Sequence, residues 1–167
     1  TPDYRNPSRA RNVAYKAARG EVIIPQSADT LHVGRQCIDH LVSELTPGHF
    51  VIARVFNTDL DGHIIPGNLE NPGYNALTVY TGPENKRPFF FLGSLYRRDL
   101  YAVGGNDEEF IAPGREDAWF ADCLMKGLKL RPVFSKWIWG HHLQHKHQGT
   151  KEASAPSLRL YHQKYRA

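Results

Sequence analysis

Four histidines within seven residues, His141, His142, His145 and His147, form the densest concentration of potential chemistry in this sequence. Imidazole is the commonest nitrogen ligand for divalent transition metals, so the cluster points to a metal centre; a solvated polar tail is the plain alternative. Such a metal also calls for a hard oxygen ligand. Asp29, in the small polar stretch Gln26-Ser-Ala-Asp-Thr30 that follows an apolar run, can supply it at the same sheet edge as His142 or His145. Glu116 and Asp117 sit at the start of a helical pattern. Free backbone N–H groups and the positive end of the helix dipole favour ionised carboxylates there, so these acids are either ordinary helix-start residues or candidate general bases. A base, a metal and coordination positions left open for phosphate oxygens together describe group transfer from a nucleotide-activated donor.

The elements that must position these groups follow from periodicity. Trp119, Phe120, Cys123 and Leu124 make one helical stripe, opened by the break Pro113-Gly114 and stopped at Gly127. Nearer the N-terminus, Ser8 as a cap, a stripe of Ala10, Val13, Ala14 and Ala17, and Gly20 as a stop predict a helix over 8–19. Val22 to Pro25 reads as a short buried strand. Val33, Cys37, Ile38, Leu41, Val42 and Leu45 read as a helix ended by Pro47-Gly48, and Phe50 to Phe56 as a strand. Residues 57 to 75 are loop-like; Asp59-Leu-Asp-Gly62 is expected to be a turn, because the remaining ligands of a calcium loop do not follow. Leu77 to Tyr80 and Pro88 to Leu92 are expected strands, with Phe89 to Phe91 in the core. Ser94 would cap a helix bearing Leu95, Tyr96, Leu100 and Val103. A strand from Leu130 to Trp139 then delivers the histidines. Residues 148 to 156 read as a linker and 157 to 166 as a basic terminal helix. Alternation of helix and strand on this scale predicts an α/β layer architecture.

Composition bounds the function. With 167 residues, 41% of them hydrophobic and 23% charged, the chain fits one globular domain with a real core. A net charge of +4 permits an anionic partner such as a nucleotide or a phosphorylated lipid. The basic residues are scattered and match no RNA- or DNA-binding motif, so nucleic acid is not an expected partner. Arg97 and Arg98 read as an exposed helix pair, with phosphate contact as the alternative. Cys37 and Cys123 fall on apolar faces without metal-site spacing, which suggests buried thiols in a reducing compartment. No apolar run reaches the length of a membrane span and no signal-peptide pattern is present, so a cytoplasmic chain, at most peripheral to a membrane, is expected.

Several motifs in order carry a family resemblance. Ala10-Arg-Asn12 followed by Ala18-Arg-Gly-Glu21, Ser27-Ala-Asp29, Gly93-Ser-Leu-Tyr-Arg-Arg-Asp-Leu-Tyr-Ala-Val-Gly-Gly-Asn-Asp-Glu108, Arg115-Glu-Asp117 and the late histidines occur in that sequence. Over roughly residues 7 to 147 they resemble the second half of an inverting GT-A glycosyltransferase, most similar to family 2 enzymes and their galactosyltransferase-like relatives. The resemblance implies a Rossmann-like nucleotide-diphospho-sugar transferase fold, a mixed sheet flanked by helices, without its N-terminal βαβ half. Residues 1–147 would be the catalytic portion and 148–167 a linker with a basic helix.

It further implies an inverting transfer of sugar from a nucleotide-diphosphate sugar to a glycan, lipid or protein hydroxyl. Asp117 would be the general base, with Glu116 beside it. Arg11, Asn12, Ser27 and Asp29 would lie on the donor side. Mn²⁺ or Mg²⁺ would be held by Asp29 with His142 or His145. Two departures matter: Ser27 stands where the family's Asp-x-Asp motif has its first acid, and the family's first βαβ unit has no counterpart before Thr1, so that another segment or chain would supply it. They keep a second reading in view, a non-catalytic glycan- or nucleotide-binding module on a degenerate transferase fold.

Overall fold

The computed structural model describes residues 7–66, 78–112, 114–145 and 151–166. Its elements, in chain order, are α1 (Pro7–Ala17), β1 (Val22–Ile23), β2 (Thr30–Val33), α2 (Cys37–Ser43), β3 (His49–Thr58), β4 (Val79–Thr81), β5 (Gly93–Tyr96), α3 (Arg97–Ala102), α4 (Glu116–Asp122), a π-helical turn (Cys123–Gly127), β6 (Arg131–Leu143) and α5 (Lys151–Arg166). They fall into two compact units. A sheet unit is drawn from Val22–Tyr96 and Leu130–Lys146, and a helical unit from the stretches before, between and after. No helix among the described residues is long and apolar enough to cross a membrane.

The sheet unit is built around β3. Its run Phe50-Val-Ile-Ala53 has no exposed residue, and Val55 is likewise fully buried, as a strand covered on both faces requires. β3 pairs in parallel with β6 along one edge and antiparallel with β5 and β4 along the other. The order across the sheet is β1-β5-β3-β6-β2, with β4 beside β3. β5 approaches closely because Gly93 has no side chain: a Cβ there would sit 2.4 Å from the Val51 carbonyl oxygen. Leu41 and Leu45 of the α2 segment join Val51, Ala53, Val55 and Ile138 in one core. Full burial of each such aliphatic side chain contributes about 1.5–3 kcal/mol. Ser94 Oγ, donating 2.6 Å to the Leu41 carbonyl, ties α2 to β5. Between the pairs Ile52–Phe134 and Arg54–Trp139, β6 bulges away from β3. Ser135 Oγ fills that bulge, accepting the N–H groups of Trp137 and Ile138 and donating to Glu44.

The helical unit holds α1, α3, α4 with its π turn, and α5, around buried Tyr15, Leu100, Phe110, Phe120 and Leu124. Asn12 binds α1 to the turn after α3. Its Oδ1 accepts the Asn106 N–H at 2.8 Å, and its Nδ2 donates to the Asn106 carbonyl at 2.7 Å and to Glu108 at 2.9 Å. Gly105, at φ 78°, makes room: a Cβ there would lie 2.6 Å from Asn12 Oδ1.

Four local expectations are corrected. Ala10, Val13, Ala14 and Ala17 face solvent and the buried face of α1 is Ser8, Asn12 and Tyr15, because a side-chain amide that can close three hydrogen bonds outweighs a few small apolar groups. Val33 belongs to edge strand β2, not to α2, since Gly34 at φ 90° turns the chain before the helix begins. Pro88 to Phe91 runs as irregular chain, and the strand falls one step later, so Leu95 is a buried strand residue and α3 begins only at Arg97. The terminal helix starts at Lys151, in what read as linker, and carries Pro156 within its second turn. The expected strand at Leu77 lies partly outside the described residues, as does Pro113. The Asp59 turn is present: Asp59 Oδ1 accepts the N–H groups of Asp61 and His63. Both cysteines are free; Cys37 is buried and Cys123 half-buried.

Candidate functional site

Strand alternation sorts the histidines. On β6, His142 turns inward, 4% exposed, while half-buried His141 places its Nδ1 3.7 Å from where a Cβ of Gly62 would be. His147 lies outside the described residues. β2 pairs antiparallel with β6, Thr30 opposite His142, and the turn leading into β2 carries Asp29. Its backbone is pinned at both ends: Ser27 N–H donates to the Phe91 carbonyl, and the Asp29 carbonyl accepts the Leu143 N–H at 2.8 Å. Asp29 Oδ2 consequently lies 3.5 Å from His142 Nε2 and 3.1 Å from His145 Nε2.

The ring of His142 is held on all sides. Tyr80 stacks on it at 4.7 Å between centroids, and Phe91 and His145 meet it edge-on. Its Nδ1 lies 2.9 Å from Asn57 Oδ1, so Nδ1 carries the proton and Nε2 is the nitrogen presented to Asp29. In the charged ring a proton on Nε2 faces the Asp29 carboxylate, and a divalent cation between the two atoms would take that proton's place. Asp29 Oδ1 is buried without a hydrogen-bond partner among the described residues. Burial pushes the Asp29 carboxyl up, but the hydrogen bond and charge of His142 and the nearby Ser27 hydroxyl overcome it, leaving the group well below the usual carboxylate range. One carboxylate oxygen and two imidazole nitrogens, all within 4.8 Å of one another, form a donor set that fits a divalent cation of the Mn²⁺ type.

The helix-start acids lie in the helical unit. Arg115 takes the left-handed conformation, φ 74°, immediately before α4, and no side chain caps the helix. Asp117 Oδ1 accepts the Ala118 N–H at 2.7 Å. Glu116 Oε2 is buried with no hydrogen-bond partner among the described residues. Burial first, and then the Asp117 charge, raise the Glu116 carboxyl to about 7, against the opposing charge of half-buried Arg11. Arg11 is thus placed to act on the acid pair, whereas the amide of Asn12 is already engaged with residues 106 and 108.

Asn57 and Tyr80, which orient His142, were not singled out in the sequence. Asn57 read as the first residue of a loop, and only the extension of β3 to Thr58 places it opposite His142. A single asparagine after an apolar run carries no signal of that role.

No family model matches the sequence, and no curated protein does. Two of the solved structures similar to it are glycosyltransferases. The mannosyltransferase PcManGT from Pyrobaculum calidifontis, in complex with GDP-Man and Mn²⁺, matches 94% of this chain and 41% of its own at 20% identity and a TM-score of 0.53. GalNAc-T7 with UDP, GalNAc and Mn²⁺ matches 92% of this chain and 33% of its own at 18% identity and a TM-score of 0.59. The chain thus spans less than half the length of either. At these identities the likeness is one of fold: a mixed sheet flanked by helices, the GT-A fold of glycosyltransferases.

Proposed function

We propose that the chain is the acceptor-side and metal-binding portion of an inverting glycosyltransferase that moves a sugar from a nucleotide-diphosphate sugar to a hydroxyl of a glycan, lipid or protein acceptor. The observation that carries this reading is Asp29 Oδ2 set between the Nε2 atoms of His142 and His145, with the His142 tautomer held by Asn57. The Mn²⁺ and nucleotide sugars bound by the two similar structures support it. Asp29, His142 and His145 would hold the cation, Mn²⁺ or Mg²⁺, with Ser27 beside them. When bound, that ion neutralises charge on the diphosphate of the donor.

Asp117 takes the proton of the attacking acceptor hydroxyl. The acceptor oxygen bonds to the anomeric carbon from the face opposite the diphosphate, and the bonding pair to the phosphate oxygen leaves with the nucleotide. Burial and the Asp117 charge raise the Glu116 carboxyl to about 7, and that Asp117 charge is what the base role requires. Arg11 balances their charge; Asn12 holds α1 in place. Two free thiols are consistent with a reducing, cytoplasmic setting.

The test is transfer from a panel of nucleotide-diphosphate sugars with Mn²⁺, in the chain joined to whatever segment completes its donor site. Asp117→Asn should lower kcat by ~10²- to 10⁴-fold with donor affinity nearly unchanged. Asp29→Ala should weaken Mn²⁺ and donor binding first. Donor binding without any turnover in the parent protein would instead assign the non-catalytic reading, and wild-type turnover in Asp117→Asn would remove Asp117 as the base.

A further inference from the structure

Beyond the first turn of α4, the helical unit holds a cavity of about 340 Å³ between the π turn and α5. The π turn is part of its cause. Its wider loop, closed by the Leu128 N–H on the Cys123 carbonyl at 3.2 Å, replaces the regular helix spacing where the cavity opens, and Gly127 leaves its wall bare. Trp119 and Tyr165 supply aromatic surface.

The polar groups around it are paired with one another. Lys126 Nζ donates to the Tyr165 hydroxyl at 2.6 Å and to Asp122 Oδ1 at 2.9 Å, while Tyr161 donates to Asp122 Oδ2 at 2.6 Å. Lys164 Nζ donates to Asp107 at 2.9 Å and Glu109 at 2.5 Å. Two ammonium groups therefore stand against three carboxylates, and an anion entering the cavity meets no uncompensated positive charge. A purely apolar ligand would strip water from ammonium and carboxylate groups and give nothing back. Each ammonium keeps a donor beyond the bonds named, and Asp122, the carboxylate that lines the cavity, keeps lone pairs, so the wall suits a neutral ligand whose groups both donate and accept. A pyranose ring has such hydroxyls along its edge and an apolar C–H face suited to an aromatic plane.

We propose that this cavity is a saccharide-binding site, taking a neutral sugar unit with its C–H face on Trp119 or Tyr165 and its hydroxyls on Asp122, Lys126 and Lys164. The volume is in the range of small-molecule sites. Binding there is independent of whether the chain transfers sugar, so it is measured without donor or metal. The purified chain is titrated with neutral di- and trisaccharides of glucose, galactose, mannose and N-acetylhexosamines, with pyrophosphate and a sulfated disaccharide as anionic arms, followed by backbone amide NMR shifts.

At least one neutral saccharide should saturate shifts around Trp119 and Lys126. Tyr165→Ala and Lys126→Met, at exposed positions that spare the core, should each weaken binding by ~tenfold or more, while Trp137→Ala on the sheet unit should leave it unchanged. Absence of saturation by every neutral saccharide up to about 20 mM, preference for the anionic arms, or binding as tight as the parent's in both cavity variants would overturn the assignment.

Discussion

Glu116 and Asp117 are neighbours in sequence and both half-buried. Burial of Glu116 and the adjoining Asp117 charge raise its carboxyl to about 7 from an ordinary 4.5. The folded chain therefore keeps a proton that the unfolded chain releases. Between about 4.5 and 7 the folded state binds more protons, so this group makes stability fall as pH rises through that window. Glu116→Gln should remove the slope, gaining stability over the parent near pH 8 and little near pH 4, as read from denaturant midpoints. A variant no more stable than the parent at the higher pH would mean that the carboxyl ionises there without penalty. The acid pair was legible in the sequence as a helix start. The raised Glu116 carboxyl was not, since it depends on what packs around it in the folded unit, Arg11 included.

At the scale of elements, the lesson comes from α1 and β6. The stripe of alanines and Val13 suggested the buried face of α1, and the structure exposes it, Val13 to 66%. The winning residue is Asn12, whose bonds to Asn106 and Glu108 span more than ninety positions of chain. Asn12→Ala should cost about 1–3 kcal/mol, chiefly by orphaning the buried Asn106 N–H, and should shift the urea midpoint without changing its slope. A loss under about 0.5 kcal/mol would place those bonds among the dispensable surface ones. On β6 the reverse holds. The strand was expected to end at Trp139, yet it runs to Leu143 and carries the histidine pair within it. Once His141 and His142 are strand residues, their period of two sends one toward Asp29 and the other toward Gly62.

For the whole molecule, metal binding should be visible as stability. A cation held by Asp29, His142 and His145 binds the folded sheet unit only, so free Mn²⁺ at about one hundred times its Kd should add ~2.7 kcal/mol and raise the melting midpoint by about 5 °C or more. Trp137 and Trp139 on β6 report that transition, EDTA should reverse the shift, and His142→Ala should abolish it. A shift of the same size in His142→Ala would move the metal elsewhere. The sequence by itself determined the alternation of helix and strand, the apolar run that became β3, and the candidates Asp29, His142 and His145, because periodicity and residue chemistry are local properties of the chain. The tertiary structure decided that Asp29 stands between His142 and His145, that Asn57 and Tyr80 set the His142 ring, and that Asn12 bonds to Asn106 and Glu108. Those outcomes depend on strand register, and a shift of one residue would have turned His141 inward in place of His142.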